Sequence, residues 1–164
     1  SSELQFSALL ESLDKCEDTH LIFTRPNSDT YGRVINHMID KYVADHPIKS
    51  MVSTSMGQVR YLSALKYVDA VVGNSSSGLL EMPSFKKGSI NIGNRQLGRL
   101  KSTSVIDTNY DINEIKKSIK FLYSKKFKKI LKFSKNPYGE GGASKKIVSI
   151  LKKIKLKNIL IKKF

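Results

Sequence analysis

Cysteine is almost missing from this chain: Cys16 is the only one in 164 residues. That excludes an internal disulfide and any metal site built from several thiolates. It also favours a cytoplasmic origin. Tryptophan is absent, and no apolar run approaches the roughly 20 residues needed to span a bilayer, so no membrane partner is expected. The first residues, Ser-Ser-Glu-Leu-Gln, lack an initiator Met, a basic segment and the apolar segment of a signal peptide. They read as the cut edge of a longer protein. The length itself suits one domain with an ordinary core.

Acid is scarce in one half only. Residues 1–110 carry 12 Lys and Arg against 11 Asp and Glu, whereas residues 111–164 carry 17 Lys against 3 acids. No arginine follows Arg99. Nucleic-acid recognition draws on the bidentate fork of Arg, which lysine cannot reproduce. Phe121, Phe127 and Phe133 are interleaved with Ile and Leu at helical spacing, so they are expected in the core rather than on a stacking surface. The excess charge is read as a solvated lysine-rich face, with a polyanion-binding or membrane-surface patch as the competing reading. No nucleic-acid partner is expected.

What is present is an alternation of short apolar runs and amphipathic stretches. Strands are expected at 20–24, 49–53, 68–72, 89–92 and 104–107. Helices are expected at 31–44 (apolar face Val34, Ile35, Met38, Ile39, Tyr42), at 58–67 (Val59, Leu62, Leu65) and, short, at 76–85. Beyond residue 111 the pattern is helical throughout. Ile112, Ile115, Ile119 and Leu122 form one stripe, Phe127, Ile130 and Leu131 another, and a Lys-rich terminal helix begins at Ala143 within 143–164. Strand–helix alternation predicts an α/β domain, a three-layer Rossmann-like parallel sheet, whose ligands lie beyond the carboxyl ends of the strands.

The loop after the strand at 68–72 carries the most chemistry: Gly73-Asn-Ser-Ser-Ser-Gly78, then Glu81 one turn into a helix. Backbone N–H groups and the hydroxyls of Ser75, Ser76 and Ser77 would face an anion there, and the glycines would let it come close. A carboxylate at Glu81 repels phosphate but suits a vicinal diol such as ribose. A nucleoside diphosphate satisfies both; an ordinary serine N-cap is the plainer alternative. Neighbouring loops add candidates for the same cleft. In Thr24–Asp29, Arg25 could meet phosphate and Asp29 a sugar hydroxyl, although Asn27 or Ser28 would serve equally as a helix cap. Main-chain groups at Ser55 and Met56 could pair with a base edge or simply open a helix. Arg95 and Arg99, four apart around Gly98, could clamp a diphosphate or face a neighbouring domain. Asn136–Ser144 is glycine-rich but lacks P-loop spacing. His20, His37 and His46 have no motif partner, no metal-ligand spacing occurs, and the serines lack the elbow of a hydrolase. No catalytic set, metal or cofactor is expected in this chain.

Taken together, Phe23–Asp29, Gly57–Leu62, Val71–Gly78 with Glu81 and Pro83–Phe85, Asn91–Arg99 and Asn136–Gly141 form five ordered blocks. In these the chain resembles the UDP-N-acetylglucosamine 2-epimerases, particularly their hydrolysing branch. The resemblance implies one half of a glycosyltransferase-B-type fold, the second, UDP-binding domain, with the first domain and this domain's first strand absent. It implies UDP or a UDP-sugar as ligand, with Ser75, Ser76 and Gly78 on the diphosphate and Glu81 on the ribose. Arg95 and Arg99 look like part of the family's cleft-facing loop. The implied reaction of an intact enzyme is elimination of UDP followed by hydration, giving N-acetylmannosamine. The family's acidic catalytic residues belong to the absent domain, so residues 1–164 alone are expected to be inactive, and the full-length protein to be a homo-oligomer. A diacetamido-bacillosamine 2-epimerase, a nucleotide-sugar glycosyltransferase and a basic polyanion-binding module are the alternatives.

Overall fold

The structure is a computed structural model that describes residues 2–26 and 30–154. In chain order its elements are α1 (Ser2–Asp14), β1 (Leu21–Thr24), α2 (Thr30–Asp45), β2 (Ser50–Ser53), α3 (Gly57–Leu65) and β3 (Ala70–Gly73). Then come α4 (Ser77–Leu80), a 3-10 turn (Met82–Phe85), β4 (Gly88–Ile92), β5 (Val105–Thr108), α5 (Ile112–Leu122), α6 (Lys125–Phe133) and α7 (Ala143–Lys153).

All strand pairing is parallel, as alternation with helices requires. The sheet comes in two pieces. β1 pairs with β2, and β3, β4 and β5 run side by side in that order. In the larger piece Val72 lies opposite Ile90, and Ile90 opposite Ile106. β4 is buried along its whole length, as befits a central strand covered on both faces.

One core joins the pieces. Leu9 and Leu13 of α1, Ile90 and Ile92 of β4, Ile115 and Leu122 of α5, and Phe127 of α6 form a single buried cluster. Leu21 of β1 and Ala70 and Val72 of β3 rest against that same cluster. Phe127 is 1% exposed, and burying a side chain of that size stabilises by about 2–3 kcal/mol. Its ring leaves no room at Gly88, where an added Cβ would stand 2.7 Å from Phe127 Cε1.

Side-chain caps set where the last two core helices begin. The Asp111 carboxylate accepts from the backbone N–H groups of Asn113 and Glu114 at 2.9 and 3.0 Å, opening α5. Ser124 Oγ accepts from Phe127 N–H at 3.1 Å and opens α6, which turns Phe127 into the core. The Lys side chains of α6 lie on its exposed face.

Three expectations change. Val59 is 80% exposed, so the expected stripe of α3 turns inward only at the half-buried Leu62 and the buried Leu65. Phe133, at the end of α6, is 84% exposed and stands outside the core. The expected helix at 76–85 is one α-turn followed by a 3-10 turn, with Pro83 among the first 3-10 residues. Proline there removes a backbone donor and ends α-type bonding. α7 buries none of its residues; the part of the terminal helix expected beyond residue 154 lies outside the described residues.

Candidate functional site

The loops that follow β1 and β2 leave the carboxyl ends of one pair of parallel strands, and those that follow β3 and β4 leave the carboxyl ends of the other sheet piece. The loop after β3 is the richest in donors. Gly73 has φ of +144°, a backbone setting that side-chain-bearing residues rarely adopt. It turns the chain out of the strand into Asn74 and Ser75, which are exposed, and Ser76 and Ser77, which are half-buried.

Backbone pairing in this loop leaves donors over. Leu79 and Leu80 donate to Ser76 O, and Glu81 donates to Ser77 O. Ser77 N–H bonds to Ser75 Oγ at 3.3 Å. Among the described residues, no acceptor is found for the N–H groups of Ser75, Ser76 or Gly78. Because α4 is a single turn, its macrodipole is slight, and the free N–H groups are what the loop offers an anion.

Gly78 has a packing role besides. An added Cβ would lie 3.1 Å from the Ser89 Cβ of β4, and Ser89 Oγ donates to Gly78 O at 2.7 Å. Glycine brings α4 hard against β4, which fixes the serine loop relative to the sheet.

Glu81 lies at the junction of α4 and the 3-10 turn. Its Oε2 is buried and has no hydrogen-bond partner among the described residues. A buried carboxylate oxygen with nothing to accept from is costly in a bare protein, of order 1–3 kcal/mol. It is also the arrangement a ligand hydroxyl would complete. Beside it, the Tyr61 hydroxyl on α3 shares a short hydrogen bond with Ser77 Oγ. Burial pushes the Tyr61 phenol up, the Ser77 bond pulls it back, and the Glu81 charge pushes it up further.

The other loops are pinned around this one. Gln96, 3% exposed, donates to Asn74 O at 2.7 Å, and Arg95 reaches Asn74 Oδ1 at 3.4 Å. Asn136, from the glycine-rich loop, donates to Leu80 O at 2.8 Å and to Ser84 Oγ at 2.7 Å, bracing α4 and the 3-10 turn. Tyr138 OH donates to Leu100 O at 3.0 Å, tying the glycine-rich loop to the loop after β4.

The sequence candidates therefore divide. Ser75, Ser76, Ser77, Gly78 and Glu81 stand together, and Arg95, from the loop after β4, reaches them through Asn74. Arg99 is exposed and makes no side-chain bond among the described residues. Arg25 is engaged elsewhere: its guanidinium grips Asp40 of α2 at 2.5 and 3.2 Å and reaches Asn36 at 3.4 Å. That hydrogen bond holds Asp40 below the ordinary carboxylate value and Arg25 above its own. Ser55 Oγ accepts from Gly57 N–H at 3.4 Å, and Met56 is the N-cap of α3. Asn27 and Asp29 lie outside the described residues. Tyr61, Asn74, Gln96 and Asn136 had no assigned role in the sequence reading. All four fall within the motif blocks, but none carries a chemistry that by itself demands these contacts.

His46 is a surface residue that stacks on Tyr42 at 4.3 Å and sits 3.1 Å from Asp14. No helix among the described residues is long and apolar enough to cross a membrane.

A parallel α/β domain with a donor-rich serine loop and a buried, unpaired carboxylate oxygen beyond a strand's carboxyl end has a Rossmann-like architecture. Within that class the chain belongs to the UDP-N-acetylglucosamine 2-epimerase family, whose model matches residues 1–152. A Campylobacter jejuni protein, GDP/UDP-N,N'-diacetylbacillosamine 2-epimerase (hydrolyzing), is 39% identical over all of this chain and 42% of its own length. The polysialic acid biosynthesis protein P7 of Escherichia coli is 36% identical over 94% of this chain and 39% of that one. The S. aureus MnaA structure solved with UDP superposes with a TM-score of 0.71 at 18% identity, covering 92% of this chain and 40% of that chain. That likeness is one of fold, and the architecture is one half of a glycosyltransferase-B-type fold. The chain thus spans about two-fifths of the length of the relatives it matches.

Proposed function

We propose that this chain is the UDP-binding domain of a hydrolysing UDP-N-acetylglucosamine 2-epimerase, acting in the cytoplasm as part of a longer, homo-oligomeric protein. The observation that carries the reading is the buried, unpartnered Glu81 Oε2 beside a loop with free N–H groups. The diphosphate takes the N–H groups of Ser75, Ser76 and Gly78 and the adjacent serine hydroxyls, and the ribose diol donates to Glu81. Arg95, joined to the serine loop through Asn74, and Arg99 farther along the same β4 loop would add positive charge that favours the departing UDP.

In the reaction, UDP-N-acetylglucosamine loses the C2 proton and the bond from C1 to the UDP oxygen. The new double bond falls between C1 and C2, the two carbons that lost them. Water then adds, returning a proton to C2 on the opposite face and a hydroxyl to C1, to give N-acetylmannosamine and UDP. This chain's part is to hold the leaving group. The general acid and base that the proton transfers need are assigned to the other domain, so residues 1–164 alone should bind UDP without turning over substrate.

The break in the sheet supports the domain boundary. β1 and β3 each end a sheet piece, yet both rest on the cluster around Leu9 and Leu13 of α1. A further parallel strand between them, supplied by a preceding segment, would make one sheet in the order β2, β1, new strand, β3, β4, β5.

Calorimetric titration with UDP tests the site. The wild-type chain should bind, and a Ser76→Ala/Glu81→Ala double variant should lose most of that affinity; equal binding by both would sink the assignment. A second reading, UDP-diacetamido-bacillosamine as substrate, is favoured by the 39% identity to the Campylobacter jejuni relative. Product analysis of the full-length protein given each UDP-sugar separates the two.

A further inference from the structure

Tyr61 is part of neither the serine loop nor the buried carboxylate, yet its hydroxyl bonds the one and lies within reach of the other's charge. It comes from α3, 16 residues before Ser77, and bonds the Ser77 hydroxyl. Its phenol also feels the Glu81 charge. Ser77 follows Ser76 at the head of α4, and its backbone carbonyl receives the Glu81 N–H at 3.0 Å. Tyr61, Ser77 and Glu81 therefore form one corner, in which the only buried polar side-chain atom left unpaired is Glu81 Oε2.

Acidity favours one direction for the Tyr61–Ser77 bond. A phenol is the stronger donor and an aliphatic hydroxyl oxygen the stronger acceptor. Either hydroxyl can donate in this pair; the relay takes the direction that acidity favours, Tyr61 O–H to Ser77 Oγ, which leaves the Ser77 proton for a further acceptor. A hydroxyl that accepts one hydrogen bond donates a better one, since linked bonds polarise each other. Burial, the largest effect, and the Glu81 charge push the phenol up while the Ser77 bond pulls it back, and the net shift is upward, toward the protonated form this relay requires.

We propose that Tyr61 is a positioning residue for the diphosphate: it orients Ser77 so that the serine proton is given to a phosphate oxygen of the bound nucleotide. The inference rests on the UDP-site reading above and adds to it a specific relay, Tyr61 to Ser77 to phosphate.

The test is calorimetric or NMR titration of the whole chain with UDP and with uridine, using Tyr61→Phe, Ser77→Ala, their double variant and Glu81→Gln. Tyr61→Phe should weaken UDP about fivefold, the scale of one net hydrogen bond. It should leave uridine affinity unchanged, because uridine has no phosphate to receive the serine proton. In a Ser77→Ala background, Tyr61→Phe should add nothing further, because the relay is already cut. Glu81→Gln should weaken both ligands. If Tyr61→Phe weakens UDP and uridine equally, or adds its full effect to Ser77→Ala, the tyrosine is merely structural and the inference is overturned. If it binds UDP like the wild type while Glu81→Gln does not, the inference fails and the UDP site stands. If neither variant changes UDP binding, or the wild-type chain binds no UDP, both fall.

Discussion

Replacing Glu81 by Met keeps the reach of the side chain and removes both carboxylate oxygens. In the bare protein the buried Oε2 has no partner among the described residues. Leaving such a group unpaired costs about 1–3 kcal/mol. Glu81→Met should therefore stabilise the unliganded chain by an amount of that order. For a chain of this length that corresponds to a rise of roughly 2–10 °C in melting temperature. The same variant should lose about tenfold to a hundredfold in UDP affinity, the usual worth of a hydrogen bond to a charged group. Differential scanning fluorimetry with and without UDP reads both effects. At ten times the wild-type dissociation constant UDP should add about 1.4 kcal/mol to the wild type and about 0.4 kcal/mol or less to the variant. A Glu81→Met protein that melts lower than the wild type, or that keeps its UDP response, would refute the idea that this carboxylate is held in reserve for a ligand.

Three more outcomes follow from the packing. Gly88→Ala should destabilise by about 1–3 kcal/mol in urea unfolding, because its Cβ would lie 2.7 Å from the Phe127 ring, buried against it on a central strand. Asp111→Ala should cost about 1 kcal/mol, since two N–H groups at the head of α5 lose their acceptor. The folded Asp40 carboxyl titrates below its ordinary 3.8 because Arg25 donates to it. Its contribution to stability is thus present above that value and is lost as pH falls through the depressed folded value. NMR titration should find the Asp40 midpoint back near the ordinary value in Arg25→Ala.

How far the sequence carried the fold can be seen strand by strand. Short apolar runs located the five strands of the described residues to within a residue or two, because a buried parallel strand must be both apolar and short. The Ile115 and Leu122 stripe likewise gave the inward face of α5. Periodicity identifies a face but not what covers it, which is why Val59 and Phe133 were expected inside and lie outside. The break between β1 and β3 was not legible, since strand order depends on pairings that no local pattern encodes. At the candidate site, the serines, Gly78 and Glu81 stood out in the sequence because small donors are followed one turn later by a carboxylate, although a serine N-cap accounts for the same donors. Gln96 and Tyr61 were not. Their bonds reach 22 and 16 residues along the chain to Asn74 and Ser77, and neither lies in a motif that demands such a contact. The packing role of Gly78 against Ser89 was hidden for the same reason.

The central claim is that the loop from Ser75 to Glu81 receives UDP. Amide chemical-shift mapping of the isotope-labelled chain during UDP titration tests it most directly. The account predicts saturable shifts largest at Ser75, Ser76, Gly78 and Glu81, with smaller ones at Tyr61, Asn74 and Gln96, the residues that brace them. Saturable shifts centred elsewhere, on the lysine face of α6 for instance, or none at millimolar UDP, would contradict it.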